Sequence, residues 1–167
     1  MKKILLAFIA AVAIFSVIGC SSQENTRNGK KAEERQRMDL YISVMKVAFQ
    51  EENGGNGFVA VKLDTLKGLS DQAKEEVLKE LTVLSPNVYS FEDTQNDNTK
   101  FELDADGRLK RSIDGTLLWV EVEEYSESKA IITGVSWFGN LGAVFPKYEA
   151  TFENGTWKLK LISMAVS

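Results

Sequence analysis

"AVFPKYEATFENGTWKLKLISMAV", residues 143–166, decides the fold. Two apolar-rich runs, AVFPKYEATF and TWKLKLISMAV, flank Glu153-Asn154-Gly155. Asn-Gly supplies the two positive-φ positions that a tight turn between twisted strands requires, so the stretch predicts a β-hairpin. The pattern continues upstream. "KAIITGVSWF" (129–138) reads as a strand with apolar residues on both faces. "TLLWVEVEEY" (116–125) alternates Leu118, Val120 and Val122 against Trp119, Glu121 and Glu123, a period of two. "KFELDADGRLKRSI" (100–113) predicts a second hairpin, with Phe101 and Leu103 on one arm, Leu109 on the other and Asp106-Gly107 at the turn. "NVYSF" (87–91) adds a strand before a polar loop over 92–99.

Before residue 87 the period changes. Met38, Tyr41, Met45, Ala48 and Phe49 fall on one helical stripe, widened by Leu40, Val44 and Val47, so 32–52 predicts a helix packed on more than one side. "NGGNG" (53–57) ends it. "FVAVKL" (58–63) reads as extended. Ser70 caps a second helix opened by Asp71, with Ala73, Val77, Leu78, Leu81 and Leu84 on its apolar face and Ser85-Pro86 at its end. Helices first and strands afterwards make an α+β domain: two N-terminal helices on a curved antiparallel sheet of about five or six strands. This order over 32–167, closing on the Asn-Gly turn and Thr156-Trp157-Lys158-Leu159, resembles the cone-shaped NTF2-like domains. "LDTLKGLSDQAKEEVLKEL" and "WFGNLGAVFPKYEATFENGTWKL" are similar to segments of small uncharacterised Gram-positive lipoproteins, a resemblance that implies no activity.

The start of the chain has a different character. Met1-Lys2-Lys3 is basic, and Ile4 to Ile18 is one apolar run broken only by Ser16. That is the layout of a secretory signal, and the run is short of the roughly 20 residues a membrane-spanning helix needs. It ends at Val17-Ile18-Gly19-Cys20, which holds the single cysteine of the chain. This junction resembles the lipobox of bacterial lipoprotein signal peptides. The resemblance implies cleavage of 1–19 and a covalent diacylglyceryl group, with N-acylation (commonly palmitate) in some hosts, on Cys20. One acyl chain anchors only marginally, whereas two or three hold stably. The expected location is the extracytoplasmic face of a cell membrane, or an outer membrane. Residues 20–31 contain no apolar residue after Cys20 and read as a flexible tether, reaching roughly 20 Å as a coil.

Composition limits the chemistry. The formal net charge is −4, and becomes −6 without Lys2 and Lys3, which argues against nucleic acid as partner. The chain has no histidine, and lipidation would consume its thiol, so Ser-His-Asp and Cys-His catalysis and His/Cys zinc sites are excluded. No metal and no cofactor beyond the lipid is expected.

Four groups of residues are candidates for function. Asp104-Ala105-Asp106-Gly107, near Asp93 and Asp97, lacks the EF-hand spacing and reads as a plain turn. Glu121, Glu123 and Glu124 read as facing water, with a buried carboxylate as the functional alternative. "WFGNLGAVF" (137–145) reads as a glycine-rich connection that can form a binding lip of Trp137, Phe138, Leu141 and Phe145, with Phe138 the more exposed of the first two. Tyr125 and Tyr148 are candidate pocket hydroxyls. The expected function is a non-catalytic, membrane-anchored binding or interaction module with an envelope protein partner. The alternatives are a small enzyme using a pocket carboxylate, or a transport-associated solute-binding lipoprotein.

Overall fold

The computed structural model describes residues 21–167, with side chains from Asn28 onward. The expected signal segment 1–19 and Cys20 lie outside the described residues. Residues 34–167 form one compact unit.

Helix α1 runs Ser21–Glu51, longer than expected. Its first turns include 21–31, which the sequence reading treats as coil. Gly29 is the only strong helix breaker there, so the helix continues through this polar stretch without an apolar face. From Met38 the helix is buried nearly all round: Met38, Leu40, Tyr41, Ile42, Val44, Met45 and Ala48 are within the core. Helix α2, Asp71–Glu80, is capped by Ser70, whose side chain accepts the Ala73 N–H. Ala73, Val77 and Leu81 join the same core. The two helices are tied by an Arg35–Glu76 ion pair at 2.6 Å and by Glu34, which accepts the Ser70 N–H at 2.6 Å.

The domain is α+β, with a curled sheet of eight strands rather than five or six. They are β1 (Phe58–Val61), β2 (Val88–Ser90), β3 (Phe101–Leu103), β4 (Leu109–Ser112), β5 (Gly115–Tyr125), β6 (Lys129–Gly139), β7 (Gly142–Glu153) and β8 (Thr156–Val166). A four-residue helix, α3 (Phe91–Thr94), follows β2 directly. β5 to β8 form an antiparallel meander. At the β7–β8 turn Asn154 and Gly155 both have positive φ (52° and 78°), with Glu153 paired to Thr156.

The sheet is mixed, which corrects the antiparallel expectation. β1 pairs in parallel with β5 on one side and with β2 on the other. The cause is the connection: α2 carries the chain from β1 to β2 as a crossover, and a crossover delivers parallel strands. Between β4 and β5 the chain bends at Asp114 (φ 54°), and β4 meets β6 at Arg111 and Gly139.

Alternation sorts the two faces. Val59, Val61, Leu118, Val120, Ile132, Tyr148 and Ala150 pack on the helices. α1 packs tightly on β6 at Gly134, where an added Cβ would lie 2.8 Å from Val44 Cγ1 and 2.9 Å from the Val44 carbonyl oxygen. Trp157 on β8 closes the far side, its indole N–H donating to the Gln36 carbonyl at 2.8 Å.

Candidate functional site

The face turned away from α1 and α2 carries a second, smaller core. β1 contributes Phe58 and Ala60, β5 contributes Leu117, and β3 contributes Phe101. Phe101 stands edge-on to Phe58 (5.4 Å between centroids) and to Phe91 (5.6 Å). Around it lie half-buried Tyr89, Phe91, Leu109, Trp119 and Trp137. Trp137 is directly opposite Leu117, which places Trp119 on the diagonal across the β5–β6 ladder.

Two lysines meet this aromatic border. Lys62 continues the Phe58–Ala60 alternation off the end of β1. Its ammonium lies 4.0 Å from the Trp119 ring centroid and 5.7 Å from that of Phe91. Partial burial pushes the Lys62 pKa down, against the opposing pull of Asp64, Glu121 and Glu92. Lys100 lies 5.0 Å from the Tyr89 ring. The carboxylates have local tasks. Glu121 accepts the Trp119 indole N–H at 3.0 Å. Glu92 accepts the Ser90 hydroxyl at 2.8 Å and the backbone N–H groups of Leu63 and Asp64. Burial raises the Glu92 carboxyl, but these hydrogen bonds outweigh it and hold the group below the usual range.

A shallow cleft of about 250 Å³ adjoins this region, lined by Asn96, Asn98, Phe101, Glu102, Leu103 and Ile113. Its one carboxylate, Glu102, is shared by Lys110 and Arg111, each at 2.5 Å. Those two bonds hold it ionised, below the ordinary carboxylate range. A group so held does not fit proton transfer near neutrality, which needs a raised carboxyl pKa.

The residues singled out from sequence are scattered. The segment 137–145 is two strand ends and a two-residue turn, Asn140-Leu141, with Gly139 paired to Gly142. Leu141 at its tip is 93% exposed. Trp137 belongs to the small core's border. Phe138 is half-buried and flanked by Gly54 and Gly142, at each of which an added Cβ would collide with it. Phe145 is half-buried on β7. They therefore do not form one lip. Glu121, Glu123 and Glu124 are exposed, and Glu123 pairs with Lys147 at 2.6 Å.

Asp104 accepts the N–H groups of Asp106 and Arg108, each at 2.9 Å, and so builds its own turn. Asp97 binds Lys100 and Thr99, which draw its carboxyl down to about 2. The Tyr125 ring lies 3.7 Å from the Arg37 guanidinium carbon. The Tyr148 hydroxyl is buried with no hydrogen-bond partner among the described residues. The pairing of Lys62 with Trp119 was missed from sequence; the signal that points to it is Lys62 falling in step with Phe58 and Ala60.

No family model, no curated protein and no solved structure matches the chain.

Proposed function

We propose that this chain is a lipid-anchored extracytoplasmic protein whose folded unit is a non-catalytic binding or interaction module of a bacterial cell envelope. One observation carries the reading: the apolar run Ile4–Ile18 ends at Val17-Ile18-Gly19-Cys20, with the chain's single cysteine at its border. A diacylglyceryl thioether on Cys20, with or without N-acylation, anchors the protein to the cell membrane or to an outer membrane, and its partner is another envelope protein.

The aromatic border supports the binding part of this reading. Tryptophan and tyrosine dominate the energetics of protein interfaces. Trp119 and Trp137 are half-buried, and Lys62 faces carboxylates of opposite sign, so the patch offers ring surface without a strong net field.

The test is Cys20→Ser in the full chain, followed by fatty-acid labelling and membrane fractionation. Loss of label, with the protein unprocessed or released in soluble form, is the expected result. A normally processed protein that still needs detergent to leave the membrane would refute the anchor. In vivo photocrosslinking from position 119 then identifies the partner; no adduct from that position would discard this face as the binding surface.

A further inference from the structure

The chain carries four Asn-Gly pairs: Asn28-Gly29, Asn53-Gly54, Asn56-Gly57 and Asn154-Gly155. A glycine after asparagine leaves its own nitrogen unhindered, because it has no Cβ. That nitrogen can close on the asparagine Cγ, provided that its N–H is free and the carboxamide can turn. The structure holds the four pairs differently.

Two pairs are held by regular structure. Gly29 lies within α1, where the helix ladder engages its N–H. Asn154 is exposed at the β7–β8 turn, but Glu153 pairs with Thr156 across it and keeps the Asn154 backbone at φ 52°. The rotation needed for ring closure would break that pair.

The other two share the loop 53–57 between α1 and β1. Three hydrogen bonds lock Asn53-Gly54. The Asn53 carboxamide donates to the Phe49 carbonyl at 3.0 Å and accepts the Gly55 N–H at 3.1 Å, and the Gly54 N–H donates to Thr116 Oγ1 at 3.0 Å. Nucleophile and leaving group are both engaged. Asn56 is exposed, and among the described residues neither its carboxamide nor the Gly57 N–H has a hydrogen-bond partner. The Gly57 carbonyl alone is held, by Asn87 Nδ2 at 3.0 Å.

We infer that Asn56 is a site of spontaneous deamidation and isoaspartate formation, selected by the fold from four equivalent dipeptides. The Gly57 nitrogen attacks Asn56 Cγ and forms the N–Cγ bond of a succinimide. Its proton passes to water, the Cγ–Nδ2 bond breaks and Nδ2 leaves as ammonia. Water then adds to either ring carbonyl, and opening gives aspartate or isoaspartate. One water is consumed and one ammonia released, with no change of oxidation state. The product sets a new carboxylate beside that of Asp114, which lies against both Gly55 and Gly57.

The test incubates the purified full chain, in detergent, in warm and mildly alkaline buffer. Peptide mapping with fragmentation that localises the change follows the mass gain of –OH in place of –NH2. Methyl transfer by an isoaspartyl methyltransferase reports isoaspartate. Asn56 is expected to react at least tenfold faster than Asn53, about 1.4 kcal/mol of barrier, and faster than Asn28 and Asn154. In urea the four rates are expected to become equal. Thr116→Val, which frees the Gly54 N–H, is expected to speed reaction at Asn53 while leaving Asn154 unchanged, which an unfolded variant would not do. Four results would overturn the inference: equal rates at Asn53 and Asn56 in the folded chain, a faster reaction at Asn28 or Asn154, a preference that persists in urea, or no effect of Thr116→Val on Asn53.

Discussion

Replacing Gly134 by alanine tests the packing of α1 on β6. The new Cβ would meet Val44 Cγ1 at 2.8 Å, the Val44 carbonyl oxygen at 2.9 Å and Ala48 Cβ at 3.0 Å. Carbon atoms are comfortable at about 3.5–4.0 Å, so α1 must move away from β6 by several tenths of an ångström. The Val44 side chain can adjust its rotamer, but its carbonyl is fixed in the helix ladder. Overpacking of this kind costs about 1–3 kcal/mol. Against it stands a gain of about 0.4–1 kcal/mol from the lower entropy of the unfolded chain. The net expectation is destabilisation by about 1–2 kcal/mol. At about 2–4 °C per kcal/mol for a domain of this size, the melting temperature falls by roughly 2–8 °C.

The assay is urea unfolding of the chain from residue 20 onward, carrying Cys20→Ser, with the slope checked for constancy. Val44→Ala made alongside completes a double-mutant cycle. Because the two side chains compete for one space, the double variant is expected to be more stable than additivity predicts, by about 0.5–1 kcal/mol. A neutral or stabilising Gly134→Ala, or strict additivity, would refute the packing of α1 on β6.

Tyr148→Phe is expected to be neutral or stabilising by up to about 1 kcal/mol, since it removes a buried hydroxyl without a partner; a clear loss in denaturant unfolding would reveal a partner for that hydroxyl. The same residue shapes the alkaline limb. Burial first, and the Glu51 charge second, push its phenol from 10.0 up to about 12. The unfolded chain loses this proton near pH 10 while the folded chain keeps it, so stability declines between pH 10 and 12. Unfolding midpoints across that range should fall less steeply in Tyr148→Phe, and an unchanged slope would assign the decline to other groups. Trp137→Ala and Phe138→Ala should each cost about 2 kcal/mol, below the 3–5 kcal/mol of fully buried aromatics; a change within about 0.5 kcal/mol at either position would mean that the side chain is not packed as described.

Local signals made much of the fold legible. Asn154-Gly155 announces the β7–β8 turn because few other pairs accept two positive φ angles. The Ser70 cap locates the start of α2, and the alternation of 118–123 separates the two faces of β5. The remainder depends on contacts distant in sequence. "FVAV" has no alternation because β1 is buried on both faces between two parallel neighbours, and the absence of a period does not reveal who those neighbours are. The glycines of "WFGNLGAVF" read as an inter-strand connection able to form a lip, and Gly139 and Gly142 face each other across a tight turn. Lys62 and Trp119 meet only because β1 lies beside β5, so nothing local to either residue predicts the pair.

That placement of β1 also sets the order in which the chain can acquire structure. Residues 58–61 and 88–90 are joined through α2, but β1 also needs residues 115–118 as its other neighbour. A polypeptide emerging from its N-terminus therefore presents both helices and two short strands before the meander that covers their apolar faces exists. Until β5 and β6 arrive, Val59, Val61 and the stripe of α1 have no sheet to settle on. Long-range pairings of this kind close slowly, because loop entropy is lost before the contacts form. The first half of the protein therefore cannot close its core until β5 and β6 are in place, and the sheet is completed from its C-terminal side.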